Sequence, residues 1–188
     1  MTNGVYSEFE CDAQNIKFKG DEAAAAAINC IGTVKESSET KTITKKCRGV
    51  VTKSKTKIIA MGLEESVHCP YDIYKKMLAM NDDDLIEGVS GVSSTAKFPT
   101  FGLTQKILDE DDVVKYKFYP CCTLTEKPEG NIDNAAEEVA EITLKIECAA
   151  DEYGFFCYEA LEEELTVEAK AAWMNSFDSD FYHKEQIA

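Results

Sequence analysis

A chain of 188 residues with a net charge of −15 and a pI near 4.5 is long enough to bury roughly 70% of its unfolded surface as one domain. Its charge excludes tight binding to duplex DNA, RNA or an anionic membrane, but not a surface past which DNA slides without sticking. An apolar content of 44% is that of a globular body rather than a disordered chain.

Taken in chain order, NIKFK (15–19) and AAINCIGTVK (26–35) read as the first two strands. The apolar run AAAAAINCIG (23–32) follows Asp21 and Glu22 rather than a basic segment. It is therefore no secretory signal, and it is too short to cross a bilayer. Residues 35–57, KESSETKTITKKCRGVVTKSKTK, then break the acidic character. Eight Lys/Arg stand against two Glu, a net +6 that leaves −21 on the remainder. Interleaved Thr and Ser with no apolar stripe make a poor helix, so this stretch is expected to be an extended, exposed arm. A positive arm on a negative body favours a head-to-tail contact between copies, which closes into rings or propagates into stacks. A solvated loop without a partner and a nucleic-acid-binding loop are the competing readings of the same residues.

Beyond the arm, 55–63 and ESVHC (65–69) are expected to be extended. PYDIYKKMLAMN (70–81) changes period: Pro70 suits a first helical turn, Asp72 complements the helix N-terminus, and Asn81 can end the helix. Tyr71, Tyr74 and Leu78 line its predicted packing face, with Lys75 and Lys76 pointing away. DDDLIEGVSGVSSTAK (82–97) reads as a Gly/Ser-rich loop around a short strand. FPTFGLTQKIL (98–108) and VVKYKFYPCCTLT (113–125) form a predicted hairpin about the acidic turn Asp109–Asp112. In its second strand Val114, Tyr116, Phe118, Cys122 and Leu124 are assigned to one face and Lys115, Lys117, Thr123 and Thr125 to the other. Pro120 cannot donate to a ladder, so an edge or a bulge is expected there. In EITLKIECA (141–149), Ile142, Leu144, Ile146 and Cys148 alternate inward. The turn DEYG (151–154) is expected to fold FFCYEAL (155–161) back on it. A terminal helix is placed near 166–177 with Thr166 as its cap, followed by a tail. The whole is a mostly β single domain with one central helix.

The chemistry-bearing residues form no active site. His68 and His183 are the only histidines; His68-Cys69 lacks the further ligands of a zinc site, and a buried or interfacial His68 fits better. Nothing marks any of the eight cysteines as an activated nucleophile, and their scattered spacing suits reduced thiols made in a cytoplasm. The acidic clusters Asp82–Asp84 and Asp109–Asp112 lack calcium-loop spacing and read as turn tips. No phosphate loop or nucleophile elbow occurs. The sequence reads as a non-enzyme with no cofactor and no metal.

KTITKKCRGV (41–50), then ESVHCPYDIYKKMLAMN (65–81), then EITLKIECAADEYGFFCYEAL (141–161) resemble, in that order, the arm, helix and closing hairpin of the major tail protein, or tail-tube protein, of long-tailed phages and prophages of Gram-positive bacteria. These pieces cover about half of the chain; Asn81 stands where the family often has Gly. The resemblance implies a two-sheet antiparallel β-sandwich with one central helix. Residues 1–188 would be one tail-tube domain, with the basic arm at 35–57 and a C-terminal extension at 162–188 that has no counterpart. It implies stacked, hexameric rings forming a hollow tube assembled in the host bacterial cytoplasm, with tape-measure and tail-terminator proteins as partners. DNA would cross the lumen without specific binding. Lys41, Lys45, Lys46, Arg48, Lys53, Lys55 and Lys57 are then the candidate inter-ring contacts, and Asp109, Glu110, Asp111 and Asp112 the candidate lumen or ring contacts. The alternative is an acidic β-sandwich that joins head to tail or decorates the virion, gripping another virion protein with the arm.

Overall fold

The computed structural model describes residues 7–21, 25–81, 85–134, 138–175 and 179–183. Among the described residues nine strands form one antiparallel hydrogen-bonded network: β1 (Glu10–Phe18), β2 (Ala26–Ile28), β3 (Ile31–Cys47), β4 (Val50–Val67), β5 (Phe101–Leu108), β6 (Val114–Leu124), β7 (Glu129–Gly130), β8 (Ile142–Ala149) and β9 (Tyr158–Leu161). Their order is β2-β1-β5-β6-β8-β4-β3, with β7 beside β8 and β9 beside β6. The network folds over between β6 and β8, so that β4 lies across from β1 and β5 in a sandwich-like, mainly β body. Between the layers Ile16, Leu103, Tyr119, Leu144, Ile146 and Leu63 form the main core. β5 is buried along most of its length, as a strand covered on both faces must be.

β6 holds the two layers together, and Pro120 is the reason it can. Its first half pairs with β9 (Lys115–Phe118) and its second half with β8 (Cys121–Leu124). Opposite β5 the register shifts by one residue between Tyr119 and Cys122, a bulge placed where proline has no N–H to give. The bulge inverts the alternation. Tyr116 and Phe118 face outward against Trp173, whereas Tyr119, Cys122 and Leu124 face the main core. The single face assigned to Val114, Tyr116, Phe118, Cys122 and Leu124 is thus two faces, and Lys117 is buried rather than on a polar side. Cys122 stands opposite Cys148 on β8 with their sulfurs 3.6 Å apart, and burial first of all raises the Cys122 thiol well above its ordinary value.

The segment 141–161 is a second correction. β9 does not fold back on β8; it follows β8 along the same edge of β6. The DEYG turn makes an excursion instead. Asp151 Oδ1 accepts the backbone N–H of Tyr153 and Phe155, and the Asp151 N–H bonds the Phe155 carbonyl, returning the chain to its line.

The central helix α1 is shorter than expected, Tyr71–Met77. Ile73 and Met77 are its buried residues, Leu78 at its C-cap is buried too, Tyr74 packs at the core margin, and Tyr71 is 65% exposed, stacked on Tyr74 but outside the core. Asn81 does not end the helix. Ala79 does, at φ 47, with its N–H on the Lys76 carbonyl and that of Met80 on the Lys75 carbonyl, the two bonds of a Schellman closure. Asn81 instead bridges to Gly91; Asp82–Asp84 lie outside the described residues. Because a left-handed alanine costs roughly 1 kcal/mol, Ala79→Gly is expected to stabilise the fold by up to about 1 kcal/mol. Denaturant midpoints would measure this, and a loss of stability would contradict the left-handed closure.

The terminal helix α2 spans Val167–Trp173, with Thr166 Oγ1 accepting the Ala169 N–H as its cap. A short α3 (Ser179–Tyr182) follows. Trp173 seals the outer aromatic cluster, with its ring centroid 5.8 Å from that of Tyr116.

Candidate functional site

The basic arm is a two-stranded ribbon. β3 and β4 pair from Ile31↔Val67 to Cys47↔Val50, but β4 meets β8 only over Met61–Val67. Beyond that point the hairpin runs free of the body for roughly 30 Å, at about 3.3 Å per residue. Arg48 and Gly49 close it with φ values of 50 and 81, the left-handed pair that a two-residue turn needs to match strand twist.

The register sorts its side chains by chemistry. Lys41 is opposite Lys57, Ile43 opposite Lys55, and Lys45 opposite Lys53, all on one face. Thr40, Thr42, Thr44, Ser54, Thr56 and Ile58 take the other, where the Thr42 and Thr56 hydroxyls lie 2.8 Å apart. Lys46 comes after a bulge and Arg48 sits in the turn, so neither belongs to that lysine row. Like charges directly opposite on a sheet destabilise it. Among the described residues no carboxylate comes within ion-pair range of any of these lysines or of Arg48.

At the hairpin's base lies a cavity of about 360 Å³, between the β1 and β3 edges. Glu8 and Glu10 stand on the β1 side and Glu36 on the β3 side, with Gln105 and Lys117 among the residues beneath. Lys117 Nζ reaches Glu8 at 2.8 Å, Glu36 at 3.1 Å and Glu159 at 3.7 Å, while Tyr119 donates its hydroxyl to Glu36 at 2.6 Å. Burial alone would lower the Lys117 pKa; hydrogen bonds to Glu8 and Glu36 outweigh it and raise the value. Burial likewise pushes Glu8 up, but hydrogen bonds from Lys115 and Lys117 bring it below the ordinary carboxylate range.

Directly behind, Glu65 on β4 is fully buried. Its two oxygens accept Gln14 Nε2 and Gln105 Nε2, both at 2.8 Å. Gln105 Nε2 also donates to Gln14 Oε1 at 2.9 Å, which turns Gln105 Oε1 away from this cluster. That oxygen is buried and has no hydrogen-bond partner among the described residues. Sequence reasoning missed the whole group. Its one signal was Glu65 itself, a charge at an inward position between Leu63 and Val67.

The acidic turn is divided. Asp109 is buried, and its Oδ1 accepts the N–H groups of Asp111 and Val113, so it shapes the turn. Glu110, Asp111 and Asp112 are exposed. His68 is half-buried, with its N–H on the Cys30 carbonyl. Among the described residues no three His, Cys, Asp or Glu side chains are grouped to hold a metal ion, and no helix is long and apolar enough to cross a membrane.

No family model matches the chain, and no curated protein matches it. A solved structure that does is a chain from the cryo-EM structure of the anti-feeding prophage (AFP) baseplate, 6-fold symmetrised, at 10% identity and a TM-score of 0.45, covering 85% of this chain and 97% of that one. A likeness of that size carries no argument about function.

Proposed function

We propose that this chain is a structural virion protein that assembles with copies of itself into stacked rings forming a hollow tail tube. The observation that carries the reading is the hairpin: a row of five lysines, two pairs of them directly opposed, held away from an acidic body and left without carboxylate partners among the described residues. Such a ribbon weakens its own chain and gains when it meets a second, acidic copy, a head-to-tail geometry that repeats. The sequence resemblance to tail-tube proteins supports the same reading, with rings of six as its implied symmetry. The acidic remainder suits a wall that DNA passes without binding.

Negative-stain microscopy of concentrated, purified protein, alongside size-exclusion chromatography, tests the proposal. Rings or open-ended tubes are expected. Discrete particles at every concentration would overturn it and turn the reading toward a head–tail joining or decoration protein whose hairpin grips a different virion component.

A further inference from the structure

We infer that the cavity at the base of the hairpin receives a lysine ammonium from the hairpin of a second copy. The inference rests on the assembly reading above and names the seat of the contact.

Three independent observations meet here. The first is charge. The cavity lining holds three carboxylates, Glu8, Glu10 and Glu36, against one ammonium, Lys117, with Lys115 also reaching Glu8 at 2.5 Å from outside the lining, so that Glu10 is the carboxylate left over. Lys117 reaches Glu8 and Glu36, while Glu10 forms no ion pair among the described residues. The second is an unmet acceptor. Gln105 lines the cavity, is fully buried, and has its Oε1 turned away from Gln14 and Glu65 with no donor to satisfy it among the described residues. A buried acceptor without a donor is costly, and an ammonium carries three donors, enough for a carboxylate and, once the Gln105 side chain shifts toward the cavity, for this oxygen as well. The third is supply. The lysine row of the hairpin has the complementary charge and no carboxylate in ion-pair range among the described residues.

The donor must come from another copy. Glu36 lies on the same strand as Lys41 and Lys45, five and nine residues away, so a straight ribbon holds these lysines roughly 17 and 30 Å from the cavity of their own chain, beyond the reach of a lysine side chain. Hairpin tip to hairpin base is a heterologous contact, and one copy's use of its hairpin leaves its own cavity open to the next. The contact therefore propagates along a stack rather than closing a pair.

Zero-length carbodiimide coupling, which joins an amine to a carboxylate only at contact distance, tests this. Copies labelled with heavy nitrogen would be mixed with unlabelled ones, allowed to assemble, coupled, and separated by sedimentation before peptide mapping. Mixed-isotope links from Lys41, Lys45, Lys53, Lys55 or Lys57 to Glu8, Glu10 or Glu36 are expected in the assembled fraction. Glu10→Lys, at an exposed position, is expected to raise the concentration needed for assembly severalfold, up to about fivefold. Assemblies whose hairpin lysines couple to other carboxylates, or to none, would overturn this seat and leave the assembly reading standing. Failure of the unmodified protein to assemble would remove both.

Discussion

Replacing Lys53 and Lys57 together by glutamate is expected to stabilise the hairpin while preventing assembly. Each lysine is directly opposed by another, Lys45 and Lys41 respectively, so each substitution turns a like-charge cross-strand pair into an opposite-charge one. Such pairs contribute roughly 0.2–1 kcal/mol each. The same change lowers the charge of residues 35–57 from +6 to +2 and leaves the lysine row with both signs. No core residue is touched, since residues 53 and 57 lie on the part of β4 that has only β3 as its partner. An exposed ion pair is worth only about 0–1 kcal/mol, so a single substitution has little effect. Removing two cations and adding two anions at every contact of a repeating stack has a large one. Thermal unfolding would report the first effect, and sedimentation with microscopy the second. Their opposite directions separate a lost contact from a misfolded chain. Assembly at the unmodified rate would take the lysine row out of the mechanism.

The parts of the fold visible in the sequence are those whose pattern is local. Alternation in Ile142–Cys148 gives β8 its inward face, and the acidic turn between two alternating runs gives the β5–β6 hairpin. The basic arm was visible from composition, but its form as a hairpin was not, because Arg48–Gly49 is a less familiar two-residue turn than Asn–Gly. Errors arose where one residue changes the phase or the partner. Pro120 signalled a bulge, yet a bulge also inverts every side chain beyond it. Cys122 and Leu124, beyond the bulge, therefore share the inward face with Lys117 and Tyr119, while Tyr116 and Phe118 before it face outward. The edge along which β8 and β9 follow one another is set by β6, far away in sequence, and no local pattern encodes it. The cavity group draws on β1, β3, β4, β5 and β6, so only assembly of the sheet brings Glu8, Glu36, Glu65, Gln105 and Lys117 together.

Glu65→Gln is expected to remove a pH-dependent weakness from the fold. Glu65 is fully buried, accepts two amide N–H groups, and has no cation in ion-pair range among the described residues. Burial pushes its pKa from 4.5 up to about 7, with the Gln14 and Gln105 hydrogen bonds opposing part of that rise. Its charge in turn raises the Cys11 thiol on β1 and the Cys122 thiol on β6, each of which is raised chiefly by burial. An acid with a raised folded pKa takes up a proton on folding. Its stabilising contribution is complete below about pH 4.5, falls as pH rises between the unfolded and folded values, and is lost above about pH 7. A rise of this size corresponds to about 3 kcal/mol across that window. Glutamine keeps the shape without the charge, though one neighbouring amide must turn over to accept from it. The variant is therefore expected to gain about 2 kcal/mol at about pH 8 and little at about pH 5. Other carboxylates titrate in the same window, so the informative quantity is the difference between the two proteins at each pH. Assembly would add its own stabilisation by mass action, which is avoided by measuring denaturant unfolding of both in the Lys53→Glu, Lys57→Glu background. Parallel pH profiles would mean that Glu65 keeps an ordinary pKa inside the sheet.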